Sequence, residues 1–201
     1  AVAIDVNTGK VLAMASEPKF DPNLFAAGIS SKDWKDLQPE SKDVYAPKPL
    51  MNNAISATLP PGSTMKLVSA VAGLGSKVIT PSETIYDKGY YTAVPGVSPS
   101  CSIFKSTGRP HYNQNVTQAI KNSCNYFFFE VGRRMGGEVF EKYAKKFGFG
   151  AYTGIELISE YKGTVEGPEN KKASYKRYLD NYLVNNLKID DQEIRDEIKK
   201  Y

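Results

Sequence analysis

The sequence predicts an α+β fold, a short N-terminal β-hairpin followed by a helical lobe. Residues 1–6 and 11–16 are β-like apolar runs joined by Asn7-Thr8-Gly9-Lys10, a turn composition. From Ser63 to Phe147 apolar residues recur at helical spacing between glycine stops. Past Glu160 the chain becomes charged and again helical.

At 201 residues and 22.2 kDa the chain can bury a real core. A hydrophobic fraction of 41% and a mean hydropathy of -0.41 suit a soluble globular protein and argue against wholesale disorder. With 26 Lys and Arg against 22 Asp and Glu the net charge is only +4, and no basic run interleaves with aromatics, so no nucleic-acid partner is expected. Neither a membrane span nor a signal peptide is present in the sequence.

Ala1–Val6 reads as a strand from its first residue, which predicts a piece of a longer chain. The hairpin it opens needs cover, most simply from helices on at least one face. From Glu17 to about Pro60 prolines and polar clusters predict irregular surface chain, with one short helix near Ser31 to Gln38 carrying Trp34 and Leu37. Pro60-Pro61-Gly62 fixes the approach to a helix from Ser63 to about Leu74, ended by Gly73 and Gly75. Thr84-Ile85-Tyr86 begins an extended segment. Residues 87–114, rich in Gly, Pro, Ser and Tyr, predict a long ordered loop with short strands, usually a functional feature.

Asn115 opens a helix reaching Asn122, and the apolar run from Tyr126 forms a second, to about Arg134, stopped by Gly136-Gly137. Glu138 to Phe147 forms a third, with Val139, Phe140, Tyr143, Ala144 and Phe147 on one face. We divide the chain into residues 1–160 and a charged helical segment or insertion, 161–201. In the latter, Gly163, Gly167 and Pro168 form a linker-like piece, and Tyr175, Tyr178, Leu179, Tyr182 and Leu183 fall at helical spacing. Asp190 with Glu193 caps a final helix bearing Ile194 and Ile198. The tail reads as an amphipathic pair packing on the domain, or alternatively as a partner-binding helix.

The chemistry concentrates at Ser63-Thr64-Met65-Lys66. On a helix, residues three apart share a face, so a lysine amine returns beside a serine hydroxyl: a nucleophile beside a base. Ser-x-x-Lys occurs four times, at Ser16, Ser63, Ser102 and Ser159. Pro18 interrupts the first, and Ser102 to Lys105 lies among Gly and Pro where no helix is expected. Only Ser63 opens a helical run, although an ordinary helix cap would also place a serine there. Ser123-Cys124-Asn125 is the single Ser-x-Asn, lying between two helical segments. A serine there can relay a proton and an asparagine can hold a substrate amide.

Ser63-Thr64-Met65-Lys66 and Ser123-Cys124-Asn125 together resemble the first two of three signatures of penicillin-recognising serine enzymes. The wider text is similar to the transpeptidase domain of class B penicillin-binding proteins of the elongation or sporulation type. The likeness runs through Ala3 to Ser16 with Phe20-Asp21-Pro22-Asn23, Asn53-Ala54-Ile55 ahead of Pro61-Gly62-Ser63, Ala119 to Asn125, and Phe147-Gly148-Phe149-Gly150 leading to Thr153-Gly154-Ile155-Glu156-Leu157. It implies a penicillin-binding/β-lactamase-like transpeptidase fold, truncated, with the hairpin and helical lobe present and the later sheet strands absent.

By that resemblance Ser63 attacks the peptide bond before the terminal D-alanine of a peptidoglycan stem peptide. Lys66 is the base, Ser123 passes the proton to the leaving D-alanine, Asn125 orients the substrate amide, and β-lactam antibiotics are trapped as acyl-enzymes. It also implies an N-terminal membrane anchor not present in this chain, an extracytoplasmic location and a membrane glycan polymerase as partner, with no cofactor. The family's third signature, Lys-Thr-Gly or Lys-Ser-Gly, is absent; Lys162-Gly163-Thr164 has the wrong order, so these residues by themselves form an incomplete site. A β-lactamase remains an alternative, because Glu166-Gly167-Pro168-Glu169-Asn170 fits the Glu-x-x-x-Asn pattern of a water-activating glutamate. So do a β-lactam sensor domain and a non-catalytic scaffold piece of a cell-wall synthesis complex. Cys101, His111 and Cys124 carry zinc-ligand chemistry, but their spacings match no compact zinc pattern and a fourth ligand would need a carboxylate such as Asp87. No metal is expected, Cys124 reads as a small buried residue, and a Cys101–Cys124 disulfide stays open.

Overall fold

The computed structural model describes residues 1–38, 46–165 and 167–200, without the side chain of Glu169. They group into two compact units, Ala1–Pro60 with Tyr152–Gly163, and Pro61–Ala151 with Thr164–Tyr201. Glu166 and the Glu169 side chain, both part of the Glu-x-x-x-Asn pattern, lie outside the described residues.

In the first unit β1 (Val2–Ile4) pairs antiparallel with β2 (Val11–Met14) in the register Val2↔Met14 and Ala3↔Ala13, with an irregularity before Ile4↔Val11. The turn closes on Asp5, whose carboxylate accepts from the Asn7 amide and the Thr8 hydroxyl, while Gly9 takes the left-handed φ of 72°. Among the described residues of this unit nothing covers the hairpin's Val6 and Leu12, which are 94% and 70% exposed. The other elements of the unit explain this. They are a 3-10 turn (Pro22–Phe25), α1 (Ser31–Leu37) and α2 (Asn53–Ser56), none long enough to roof a sheet. α1 lies where a short helix is expected, and Ser30 caps it: Ser30 Oγ accepts from the Asp33 amide at 3.1 Å. Residues 152–163 are held to α2 by Tyr161 N–H to Ile55 O at 2.9 Å and by Ser56 Oγ to Ser159 O.

In the second unit a 3-10 turn (Gly62–Thr64) runs into α3 (Met65–Gly75), which packs on α5 (Val116–Lys121), α6 (Asn125–Met135) and α7 (Gly137–Lys146). Its core gathers Ala70, Ile79, Ile85, Val116, Ala119, Phe127 and Val131, together with both cysteines. Gly73 does not end α3 as expected. It is buried within the helix, and a Cβ there would lie 2.8 Å from Val131 Cγ1, so its role is to let α3 approach α6. β3 (Ile85–Asp87) and β4 (Tyr112–Gln114) form a second antiparallel ladder that closes the long loop. Within that loop the residues from Ser102 fold as α4 (Ser102–Thr107), against expectation. Gly108, left-handed at φ 69°, terminates it, and Phe104 packs edge-on against Tyr90 with ring centroids 5.0 Å apart.

α5 begins with a reciprocal capping box between Asn115 and Gln118. α8 (Pro168–Asn185) and α9 (Gln192–Ile198) follow. Pro168 sits in the first turn of α8 rather than in a linker, where its missing N–H costs nothing. Asp191, not Asp190, caps α9, accepting from the amides of Glu193 and Ile194. Of the apolar face expected on α7, Ala144 is buried but Phe147 is exposed beyond the helix end.

One polar knot fastens α6 to its surroundings. Glu130 accepts from Arg133 at 2.8 Å, from Arg134 at 2.7 Å and from the buried Tyr91 hydroxyl at 2.6 Å, and Arg134 reaches on to Glu83. The Arg133 hydrogen bond leads in holding Glu130 down at about 2, while burial and Glu130 together push Tyr91 up to about 12. Because the folded pKa of Glu130 lies below its ordinary 4.5, the stabilisation is present above that value and is lost as pH falls toward 2. Glu130→Gln is expected to cost about 1–2 kcal/mol at pH 7, after allowance for solvent screening around Arg133, and to flatten the acid limb of stability. Denaturant melts at a series of pH values read both effects.

Candidate active site

Pro60 and Pro61 stiffen the approach, and Gly62, at φ 61°, reverses the chain into the 3-10 turn that carries Ser63. Neither that turn nor α3 has a side-chain cap hydrogen bond, so Ser63 is not spent as an ordinary helix cap. Its side chain is exposed. Lys66 follows in the first turn of α3, half-buried, with its amine 6.0 Å from the centre of the Phe128 ring.

Ser123 is the middle residue of the three-residue joint between α5 and α6. Its φ of 51° is a left-handed value that a non-glycine residue adopts at a cost, of the kind met at functional turns. That conformation turns both its carbonyl and its hydroxyl toward Lys66. Lys66 Nζ donates to Ser123 O at 2.7 Å, to Ser123 Oγ at 2.8 Å and to Asn125 Oδ1 at 2.6 Å, which uses all three ammonium protons. Ser123 Oγ lies 3.1 Å from Ser63 Oγ and donates to it. The four residues selected from the sequence thus come together, with a difference in wiring. Lys66 reaches Ser63 through the Ser123 hydroxyl. Burial is the main influence on the Lys66 amine and lowers its pKa below the usual lysine range.

The remaining Ser-x-x-Lys serines are placed otherwise. Ser16 Oγ binds Met51 O and the Asn53 amide, a local tie within the first unit. Ser102 stands at the exposed start of α4, and Ser159 accepts from Ser56 through its carbonyl.

Beneath the Ser123 joint the fold assembles a second group that no spacing rule predicts. Asp87 at the end of β3, Cys101 before α4, His111 before β4 and Cys124 before α6 each offer one ligand atom, and these atoms all lie within 4.8 Å of one another. The Cys101 and Cys124 sulfurs are 3.7 Å apart. Asp87 Oδ2 is 3.4 Å and 3.5 Å from them, and 3.2 Å from His111 Nδ1. For zinc bonded at about 2.3 Å to sulfur and about 2.1 Å to nitrogen or oxygen, tetrahedral geometry sets these edges at about 3.8, 3.6 and 3.4 Å. The donor types and these four edges fit a zinc ion, and the two His111–thiol edges lie within 4.8 Å against an ideal of about 3.6 Å.

Burial raises the pKa of both thiols. It pushes Asp87 the same way, but the Gly89 and His111 amides and the Cys101 thiol outweigh it and hold that carboxylate low. The cluster is fastened to the upper site: Cys101 Sγ accepts from the Asn125 amide at 3.1 Å, and Cys124 Sγ from the Phe127 amide. Cys101 and Cys124 are free thiols here, without a disulfide.

This fold, with a Ser-x-x-Lys turn paired to a Ser-x-Asn joint, marks the class of transpeptidase domains. The family described as penicillin binding protein transpeptidase domain matches residues 1–179, and the chain belongs to it. It is 38% identical over 175 residues to the peptidoglycan D,D-transpeptidase MrdA of Acinetobacter baumannii, a match covering 87% of this chain and 25% of that protein. Stage V sporulation protein D of Bacillus subtilis is 37% identical over 164 residues, covering 81% of this chain and 22% of that protein. Among solved structures, PBP2 of Pseudomonas aeruginosa superposes with a TM-score of 0.74 at 31% identity, over 87% of this chain and 38% of that one. The resemblance to class B penicillin-binding proteins of the elongation or sporulation type therefore holds. So does the truncated transpeptidase fold, and the chain spans about a quarter of the length of the curated relatives it matches. Among the described residues no strand follows β4, and no helix is long and apolar enough to cross a membrane.

Proposed function

We propose that this chain carries the nucleophile half of a penicillin-sensitive serine D,D-transpeptidase that cross-links peptidoglycan stem peptides. The observation that carries this reading is the continuous hydrogen-bonded line from Ser63 Oγ through Ser123 Oγ to Lys66 Nζ. With Lys66 neutral, Ser63 Oγ attacks the carbonyl before the terminal D-alanine while its proton passes to Ser123, whose own proton passes to Lys66. Collapse of the tetrahedral adduct returns the proton along the same line to the departing D-alanine amine, leaving an ester on Ser63. An amine from a neighbouring stem resolves the ester. Asn125, fixed by Lys66 on its carbonyl side, offers its amide to the substrate backbone. The Ser63 N–H, at the start of its turn, supplies one oxyanion donor, and the Lys-Thr-Gly strand that would supply the second is not in this chain.

A form extended through that strand is expected to release D-alanine from a stem-peptide mimic. Its acylation rate should rise with pH through an inflection below the ordinary lysine value of 10.5, because burial favours the neutral amine. Lys66→Ala should lower the rate about 10²–10⁴-fold and remove that inflection. Rapid hydrolysis of a chromogenic cephalosporin by the same form would instead favour the β-lactamase reading. The active site would work outside the cytoplasmic membrane, tethered by a segment outside this chain, beside a glycan polymerase. Relatives support this setting: one solved structure is described as a PBP2 and MreC complex from Helicobacter pylori, another as a peptidoglycan synthase complex coordinating polymerization and crosslinking.

The Asp87, Cys101, His111 and Cys124 cluster favours a second, compatible role: a structural zinc site beneath the Ser123 joint. Closed four-ligand sites of this type contribute folding energy and need no open coordination position.

A further inference from the structure

Beyond the acyl-transfer site, α8 presents a feature that neither the catalytic line nor the metal cluster uses. Tyr175, Tyr178 and Tyr182 are 66%, 65% and 42% exposed, although aromatic side chains are the costliest to leave in water. At 3.6 residues per turn they fall within an arc of about 60°, forming one row along the helix. Successive steps of three and four residues advance about 4.5 and about 6 Å along the axis. The Tyr178 and Tyr182 rings lie near-parallel, at 26°, with centroids 6.4 Å apart. The opposite side of the helix is already used, with Leu183 buried and Asp180 engaged by Arg195 and Lys199 of α9.

The charges around the row are one-sided. Lys171 lies within it and Lys172 about 60° to one side of it, both exposed. Among the described side chains of α8 the only acid is Asp180, which already has cationic partners.

We propose that this tyrosine row is a docking face for the glycan strand of peptidoglycan, an inference that rests on the transpeptidase reading above. Sugar rings present flat faces of C–H bonds that stack on aromatic rings. The mean step between the tyrosines matches the advance per ring of an extended β-1,4-linked sugar chain. The stem peptides hanging from such a strand end in carboxylates, which complement Lys171 and Lys172. The face holds the strand while its stem peptides reach an acylating serine, so it raises local substrate concentration without touching the reacting atoms.

The test is co-sedimentation of the 201-residue chain with purified peptidoglycan sacculi freed of accessory polymers. It is run beside phosphatidylglycerol vesicles and with soluble glycan strands as competitor. The wild-type chain is expected to pellet with sacculi and to be released by soluble strands. Replacing the row by Tyr175→Ala, Tyr178→Ala and Tyr182→Ala should weaken binding about tenfold or more, while the triple Phe variant stays within about threefold of wild type. Unchanged melting temperatures would show that neither set unfolds the chain.

Equal binding by the triple Ala variant overturns the proposal. So does retention by vesicles but not by sacculi, which would assign the row to a membrane surface. The same two triple sets, placed in the extended form, are also labelled with penicillin. Tyrosine-independent sacculus binding with Ser63 labelling intact defeats the docking face alone, whereas loss of labelling in the wild-type extended form defeats the transpeptidase reading beneath it.

Discussion

Incubation of the extended form with a fluorescent penicillin is expected to add one penicilloyl mass, and Ser63→Ala is expected to remove it, lowering the acylation rate at least about 10³-fold. The size follows from chemistry rather than packing. Ser63 is exposed, in a turn held by Gly62 and by Thr64 Oγ1 to Pro61 O at 2.8 Å, so loss of one oxygen leaves the scaffold intact. Ser123→Ala should act differently. It breaks the path between Ser63 and Lys66 but leaves the nucleophile, so slowed labelling is expected rather than none. If the two variants lose labelling equally, Ser123 is as necessary to attack as Ser63 itself. If Ser63→Ala still labels at that mass, the nucleophile assignment is wrong. Running the 201-residue chain alongside tests whether the missing Lys-Thr-Gly strand is needed: labelling of both shows that one oxyanion donor suffices for acylation by penicillin.

Protein purified without chelator is expected to carry one zinc per chain. Its removal should lower the melting temperature by about 10 °C, the shift that about 3 kcal/mol of linked binding energy produces in a domain of this size. The reason lies in what the four ligands join. Asp87, Cys101, His111 and Cys124 come from the ends of β3 and β4 and the starts of α4 and α6, segments otherwise closed mainly by a three-residue ladder. Asp87→Ala should reproduce the loss of zinc and of stability. It should also slow penicillin labelling, because Cys101 and Cys124 hold the amides that begin α6 and so position Asn125. Elemental analysis settles occupancy. A metal-free protein with the same melting temperature before and after chelation would leave the cluster as a hydrogen-bonded core group centred on the Asp87 carboxylate.

Local signals determined much of this protein. The Pro60-Pro61-Gly62 turn, the opening of α5 at Asn115, the apolar run of α6 and the apolar spacing of α7 act over a few residues, and each is read at its own place in the chain. The motif pair at Ser63 and Ser123 was legible for the same reason, since each is a short string with its own flanking helix. Their resemblance to a known family supplied the pairing that composition could not.

Tertiary structure alone decided what depends on separated segments. Gly73 reads as a helix stop until Val131 of α6 is laid against it. The run from Ser102 reads as loop until Tyr90 packs on Phe104 and Gly108 takes a left-handed turn. Spacing gave the metal cluster no support, because its ligands lie at the ends of four different elements and only the β3–β4 ladder and the start of α6 bring them within 4.8 Å. The catalytic wiring was hidden in the same way. A three-residue interval on a helix suggests that Lys66 faces Ser63, but the left-handed backbone of Ser123 carries a second hydroxyl between them, and a contact across 60 residues has no trace in local periodicity.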